Sequence, residues 1–372
     1  MISEQLGIPK RTKRITSEWL NKVLHDSGYL KDFNIKSISR EPWGAGEGFM
    51  SDMARLTITY DKDSPNLPKT MIVKMPTTYR TAFALALQYN LYEKEIRFYT
   101  EIAPKSPIRV PGLIYSDYDI EVKKYILILE DCSCYEMVDA IEGLSYEQTK
   151  QAINSIADFH ARWWDAPDLF SFDWLPAPKD EDIKKAFTTT FRNSWDLAVK
   201  SESFLKILPE GSLGAGEKVY KHFPWLLNNV KDENLTIVHL DYKSDNMFFD
   251  SENSENPLII CDWANTLISA GLVDIGYLLG GSIKVDLRQQ IEEEMIKLYI
   301  KRIEENGITI DTDFDEVWEN YLISLMFYAW GPPLVFAQLD TRDPKAFEIF
   351  KESTNRFFRA IIDNDATSIL PS

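Results

Sequence analysis

The apolar pattern changes character near Asp131, and that change constrains the fold more than any other feature of the chain. From Ile35 the sequence runs through IKSISREPW, MARLTITYD and TMIVKMP, short β-rich segments separated by the glycine-rich GAGEG and the turn-prone DKDSPNLP. These three segments predict an antiparallel meander. A helical spacing follows over residues 81–102, with Leu85, Leu91, Ile96 and Tyr99 among its apolar positions, and then two more strands, VPGLIYSDYD and KKYILILED. A short helix over 15–30, capped by Thr16 or Ser17 and carrying Trp19, Leu20, Val23 and Leu24, flanks the first strand. Beyond Asp131 long amphipathic patterns take over, beginning with SYEQTKQAINSIADFHARWW, which puts Ile153, Ile156, Ala157, His160 and Trp164 on one face. One β-rich interruption at 236–262 breaks that run, and helices fill 284–365. The expected fold is therefore α+β in two lobes. Residues 1–131 form five antiparallel strands with one helix, and residues 132–372 form a mainly helical lobe.

A chain of 372 residues is long enough for two or three folding units of roughly 150 residues each. Its 41 basic and 58 acidic residues leave a net charge of −17, which argues against sequence-independent binding to nucleic acid or anionic membrane. No stretch approaches the ~18 uncharged apolar residues of a spanning helix, and Met1–Arg14 lacks a signal-peptide core. Three cysteines, Cys132, Cys134 and Cys261, make no disulfide framework and lack the second pair a zinc site needs. The expectation is a cytoplasmic protein with no obligate protein partner evident.

The chemistry concentrates in His239-Leu240-Asp241-Tyr242-Lys243-Ser244-Asp245-Asn246, followed by Asp262 at the end of the apolar run LIIC. Phosphoryl transfer from a nucleotide needs such parts: one carboxylate to orient and deprotonate a hydroxyl, and hard oxygen ligands to hold magnesium against the phosphates. A polar turn between two buried strands would be the structural explanation, since Asp and Asn are common turn residues. Upstream, Lys74 closes the strand MIVK and Glu95 lies on the next helix, the order in which a cation for the α- and β-phosphates and its carboxylate partner are expected. Gly46 and Gly48, within GAGEG, would let backbone N–H groups approach a triphosphate, with Ser51 adding a hydroxyl. Each feature alone has an ordinary explanation; their joint order is hard to reach by accident.

Taken together, GAGEGFMSDMARL, MIVK, EKEIRFY, LILEDCS, IADFHARWW, HLDYKSDN and CDWANTLISAGLVDIGYLLGGS resemble the aminoglycoside phosphotransferase and choline kinase superfamily, nearest to its ecdysteroid-kinase-like small-molecule kinases. The likeness spans roughly residues 35–340. It implies a bilobal protein-kinase-like fold that uses ATP and Mg2+. By that resemblance Asp241 is the catalytic base, Lys243 meets the γ-phosphate, and Asn246 and Asp262 hold the metal. Lys74, paired with Glu95, positions the α- and β-phosphates, and the hinge Glu130-Asp131-Cys132 meets the adenine through its backbone. His239 braces the catalytic loop and the buried Asp274 anchors it. Leu240 stands where most of the family has glycine, and Ala264 where a polar residue often follows the tryptophan.

Both lone titratable groups and the acceptor have bland and sharp readings. His160, among apolar neighbours on its helix, is expected to be a hydrogen-bonded core histidine. Between Asp286 and Asn320 eleven acids face four bases, a local charge of −7; they would suit a cationic acceptor, although runs such as EEE usually face water. The segment LISLMFYAWGPPLVFAQL would wall an apolar acceptor, or simply fill the core. The resulting expectation is a small-molecule kinase whose acceptor is an amino sugar, an amino alcohol or an apolar alcohol. The alternative is a silent nucleotide-binding module of the same fold.

Overall fold

Strand β3 (Thr70–Pro76) sits at the centre of the first sheet, and its burial on both faces sets the architecture around it. In this computed structural model the described residues are 7–43, 50–62, 65–177, 180–229, 234–253, 255–337 and 343–371. Helix α1 (Ser17–Asp26) opens with Thr16, whose hydroxyl accepts the Trp19 amide. Strands β1 (Ile35–Pro42) and β2 (Ser51–Tyr60) pair antiparallel with each other and then with β3. After helices α2 (Arg80–Gln88) and α3 (Leu91–Arg97) come β4 (Leu113–Asp119) and β5 (Lys124–Glu130). The sheet order is β1-β2-β3-β5-β4. Met71, Val73 and Met75 of β3 join Trp19, Leu20, Val23 and Leu24 of α1 in one apolar cluster. The two-residue period of a strand therefore turns Ile72 and Lys74 to the other face.

The helical pattern over 81–102 is broken in the structure. Asn90 adopts a left-handed conformation (φ 54°), ending α2 and restarting the helix as α3, and its side-chain amide donates to Glu93. Asparagine tolerates this region where a β-branched residue does not. The restart buries Leu91, Tyr92, Glu95 and Ile96. A π-turn at Phe98–Ile102 then closes the helical stretch.

The remaining elements are β6 (Glu136–Met137), α4 (Tyr146–Trp163), α5 (Glu181–Ala198), α6 (Glu202–Ile207), α7 (Ser212–Asn229), β7 (Leu235–Val238), β8 (Met247–Phe249), β9 (Leu258–Ile260), β10 (Leu267–Ala270), α8 (Leu272–Gly281), α9 (Val285–Glu305), α10 (Phe314–Phe327), α11 (Gly331–Phe336) and α12 (Pro344–Asp363). Helix α4 starts with a capping box between Ser145 and Gln148. Two ladders absent from the sequence reading appear: β10 pairs with β7, and β6 with β8. Trp163 rather than Trp164 is the fully buried tryptophan of α4. Glycines permit close helix crossing at α8, where a Cβ on Gly276 would lie 2.8 Å from that of Ser324 on α10.

The chain divides into two units whose sequences interleave. One takes the chain up to Lys105 with Arg109–Tyr135 and Ile259–Asn265; the other takes Ser106–Ile108, Glu136–Leu258 and Thr266–Ser372. Within the first unit, Ile259 bridges Arg109 and Trp263 stacks on Phe98 at 4.0 Å, which holds the 259–265 excursion in place. The described helices include none long and apolar enough to cross a membrane. The left-handed turn at Asn90 gives a direct test. Asn90→Gly should leave the urea midpoint nearly unchanged, whereas Asn90→Val should destabilise the protein by about 1–2 kcal/mol; equal midpoints would contradict the turn.

Candidate functional site

The first unit buries a lysine between two carboxylates. Lys74 Nζ lies 2.8 Å from Glu95 Oε1 and 2.7 Å from Asp262 Oδ1. Glu95 Oε2 accepts the Tyr125 hydroxyl at 2.9 Å. Burial alone would lower the pKa of the Lys74 ammonium, but Asp262 and Glu95 outweigh it and hold that pKa above the usual lysine value. Burial also pushes the Glu95 carboxyl upward while Lys74 and Tyr125 pull it back. The pair is read as ionised, because the ammonium answers a second carboxylate and Glu95 has two donors. Asp262 itself has a left-handed backbone (φ 62°) and a side chain 40% exposed, so a carboxylate edge faces solvent. Deleting Lys74 would strand the buried Glu95 charge, at about 3–5 kcal/mol.

Other predicted residues of this unit fall around the strands. Ser51 is buried at the start of β2, opposite Pro76. Glu130 ends β5, where its amide donates to the Gly112 carbonyl and its carboxylate accepts the Gly112 amide. Cys132 is buried and its carbonyl accepts the Tyr135 amide. Burial, reinforced by Glu130, pushes the Cys132 thiol up to about 12, and burial likewise raises that of Cys261, so neither is an activated nucleophile. Arg55, not singled out in the sequence, pairs with Asp131 at 2.6 Å beside Cys132. Gly46 and Gly48 lie outside the described residues.

The second unit builds its loop on one buried carboxylate. Asp274 has no exposure; Oδ2 accepts the His239 amide at 2.7 Å and Oδ1 the Leu240 amide at 2.8 Å. His160 Nε2 lies 3.2 Å from Asp274 Oδ2, and its Nδ1 lies 3.0 Å from the Tyr299 hydroxyl. A carboxylate only accepts, so Nε2 carries the hydrogen of that contact. His160 is thus a satisfied core histidine that also braces the anchor. Leu240 occupies the left-handed region (φ 66°), a conformation that glycine adopts at less cost. Three contacts hold it there: its amide on Asp274, its carbonyl accepting the Tyr328 hydroxyl at 3.2 Å, and its buried side chain.

Past that turn, Asn246 Nδ2 donates to the Asp241 carbonyl at 2.8 Å and to Asp241 Oδ2 at 3.2 Å. Lys243 Nζ also reaches Asp241 Oδ2, at 3.2 Å. The Asp241 amide donates to His239 Nδ1 at 3.2 Å. Asp241, Lys243 and Asn246 thus cluster in one unit, and Lys74, Glu95 and Asp262 in the other. The sequence reading missed Tyr328, whose hydroxyl donates to the Leu240 carbonyl at 3.2 Å. No local pattern marks it, because its partner lies far away in the sequence.

Among the described residues no group of three or more His, Cys, Asp or Glu could hold a metal by itself. The donors of Asn246 point at Asp241, which leaves an amide carbonyl, and Asp262 offers a carboxylate; both are hard oxygen ligands that fit magnesium. Of the eleven acids between Asp286 and Asn320, ten are exposed, while Glu292 is buried against Arg288. The aromatic run from Tyr321 to Ala329 is buried core. Asp274→Asn, which presents an N–H to one of two backbone amides, should lower stability by about 2–3 kcal/mol in urea unfolding; an unchanged midpoint would show that the loop does not lean on this carboxylate.

The comparisons with known proteins bear on the fold and the family. No curated protein matches the sequence significantly. Among solved structures, a chain assigned as an aminoglycoside phosphotransferase from Ralstonia eutropha JMP134 superposes with a TM-score of 0.57 at 15% identity, covering 96% of this chain and 100% of that one. The GDP complex of a single-site mutant of aminoglycoside 2'-phosphotransferase-IIIa gives 0.52 at 13% identity, covering 91% and 97%. The GDP and kanamycin complex of APH(2")-IIIa gives 0.51 at 14%, covering 89% and 98%. These likenesses establish the kinase-like α+β fold. A family model matches residues 45–310, well over half the sequence, and on that match the chain belongs to the ecdysteroid kinase-like family.

Proposed function

We propose that the protein is an ATP- and magnesium-dependent phosphotransferase that moves the γ-phosphate to a hydroxyl of a small-molecule acceptor. The observation that carries this reading is the buried Lys74 ammonium, held at 2.8 Å by Glu95 and at 2.7 Å by the partly exposed Asp262. A desolvated cation fixed in this way is suited to the α- and β-phosphates of a nucleotide. Family membership supports phosphotransfer in general, and the GDP bound by similar structures supports a nucleotide.

In this reading Asp241 accepts the proton of the acceptor hydroxyl as its oxygen bonds to the γ-phosphorus. The bond from that phosphorus to the β,γ-bridging oxygen breaks, and its electron pair leaves with ADP. Lys243 offsets charge on the transferring group. Asn246 and Asp262 would hold magnesium, which neutralises phosphate charge when bound. Gly46, Gly48 and Ser51 would line the triphosphate, and the backbone from Glu130 to Cys132 would meet the base. Cys132, Cys134 and Cys261 form no disulfide with one another, which supports a reducing, cytoplasmic setting. The acceptor classes that fit the family resemblance are amino sugars, amino alcohols and apolar alcohols.

Mass spectrometry of a metabolite extract incubated with the protein and γ-labelled ATP should reveal one or a few labelled products. Asp241→Asn should lower turnover at least about 100-fold while nucleotide affinity stays within about twofold. Parallel loss of both would remove Asp241 from the role of base, and an extract with no labelled product would count against the activity itself.

A further inference from the structure

We propose that Arg55 is a positioning residue for the nucleotide, its guanidinium gripping Asp131 and Ser133 so that the Cys132 backbone between them is held ready for the base. The inference rests on the reading of residues 130–132 as the segment that meets the base, and it gives a role to a side chain that reading leaves unused.

The sheet register puts Arg55 where it can act. Arg55 stands opposite Ile72 across the β2–β3 ladder, and directly opposed residues of an antiparallel pair share a face. Ile72 and Lys74, two apart on one strand, share that face too. Arg55 therefore leaves the sheet on the side that carries the buried lysine. There its Nε lies 2.6 Å from Asp131 Oδ2, and the same guanidinium donates to Ser133 Oγ at 3.2 Å. One side chain thus holds the residues before and after Cys132. A planar fork that meets two partners fixes a direction as well as a charge, which a single ammonium does not.

The surroundings complete the grip. The Asp131 side chain is 2% exposed against 30% for Arg55, so the carboxylate depends on this partner rather than on water. Asp131 Oδ1 also accepts the Ser133 amide at 3.0 Å, which closes a small ring of contacts around Cys132. The Trp43 ring lies 5.5 Å from the guanidinium and supports it from β1. On either side the chain is tied by backbone, Glu130 to Gly112 and the Cys132 carbonyl to the Tyr135 amide. None of these contacts uses the Cys132 amide. A buried ion pair adds little net stability once desolvation is counted, so what this one contributes is geometry at the segment it holds.

Arg55→Met keeps an unbranched stem beside Trp43 and removes the fork. If the freed segment adopts the binding arrangement about one-tenth of the time, the Kd for Mg-ATP rises about tenfold, read by isothermal titration without any acceptor. Amide hydrogen exchange, read by mass spectrometry, should quicken in the peptide covering 130–135 and stay unchanged in peptides from β3 and α3. Arg55→Lys restores the charge but not the fork, and should raise Kd by only about threefold; it carries the same test should Arg55→Met fail to fold.

A variant Kd equal to that of a wild type that binds Mg-ATP overturns the inference and leaves the nucleotide reading standing. Faster exchange spread through the whole sheet overturns it by making the pair a general support of the fold. Unchanged exchange over 130–135 overturns the grip itself. A wild type that does not bind Mg-ATP overturns the nucleotide reading and this inference together.

Discussion

A carboxylate with no exposure must have its lone pairs satisfied from within, and the second unit is arranged around that requirement at Asp274. Two consecutive backbone amides, His239 and Leu240, and one imidazole, His160, converge on it. Consecutive amides can point at one acceptor only if the chain turns sharply, and the left-handed Leu240 is that turn. A non-glycine residue there sacrifices about 1–2 kcal/mol of local backbone stability. Charge-assisted hydrogen bonds of roughly 1.5–3 kcal/mol each exceed that figure. The strained residue is therefore held by the anchor, and Asp241, next in sequence, inherits a fixed direction.

The first unit faces the opposite problem, a buried cation. Lys74 lies on a strand whose alternate residues fill the apolar cluster with α1, so the face it occupies is closed by the sheet and by α3. Desolvation would discharge an isolated ammonium in such a place. Glu95 and Asp262 prevent this, and Asp262 belongs to the unit because residues 259–265 pack with its helical stretch at Phe98. The stack of Trp263 on Phe98 and the bridge from Ile259 to Arg109 are what make that excursion stable.

Much of this was legible in the sequence because it is local. The five strands follow from two-residue alternation, α1 from its cap and apolar spacing, and the loop around Asp241 from a motif whose members lie within eight positions. What was not legible depends on distant partners. Periodicity runs straight through Asn90, because an asparagine in the left-handed region leaves the helical pattern on either side intact. Strand β10 is only four residues long and gains its identity from β7, some thirty residues earlier. Arg55 looks like any strand arginine until Asp131 is placed beside it. The acids of α9 were read as a group, yet Glu292 alone turns inward, to Arg288 and the Tyr321 hydroxyl.

Helix α8 shows why the missed residues matter as much as the motif. Gly276 lets it approach α10 closely, and a Cβ at Gly281 would lie 2.5 Å from the Phe357 ring of α12. With both neighbours drawn in, Tyr328 and Phe357 reach the Tyr277 ring on the turn that also carries Asp274. Residues three apart on a helix share a face, so one turn delivers the carboxylate that anchors the loop backbone and a ring packed on Tyr328, whose hydroxyl meets the Leu240 carbonyl. A larger side chain at Gly276 would push α8 away from α10 and loosen both contacts at once. The glycines of GLVDIGYLLGGS are thus part of the packing that holds the loop before Asp241, although none of them has a functional group.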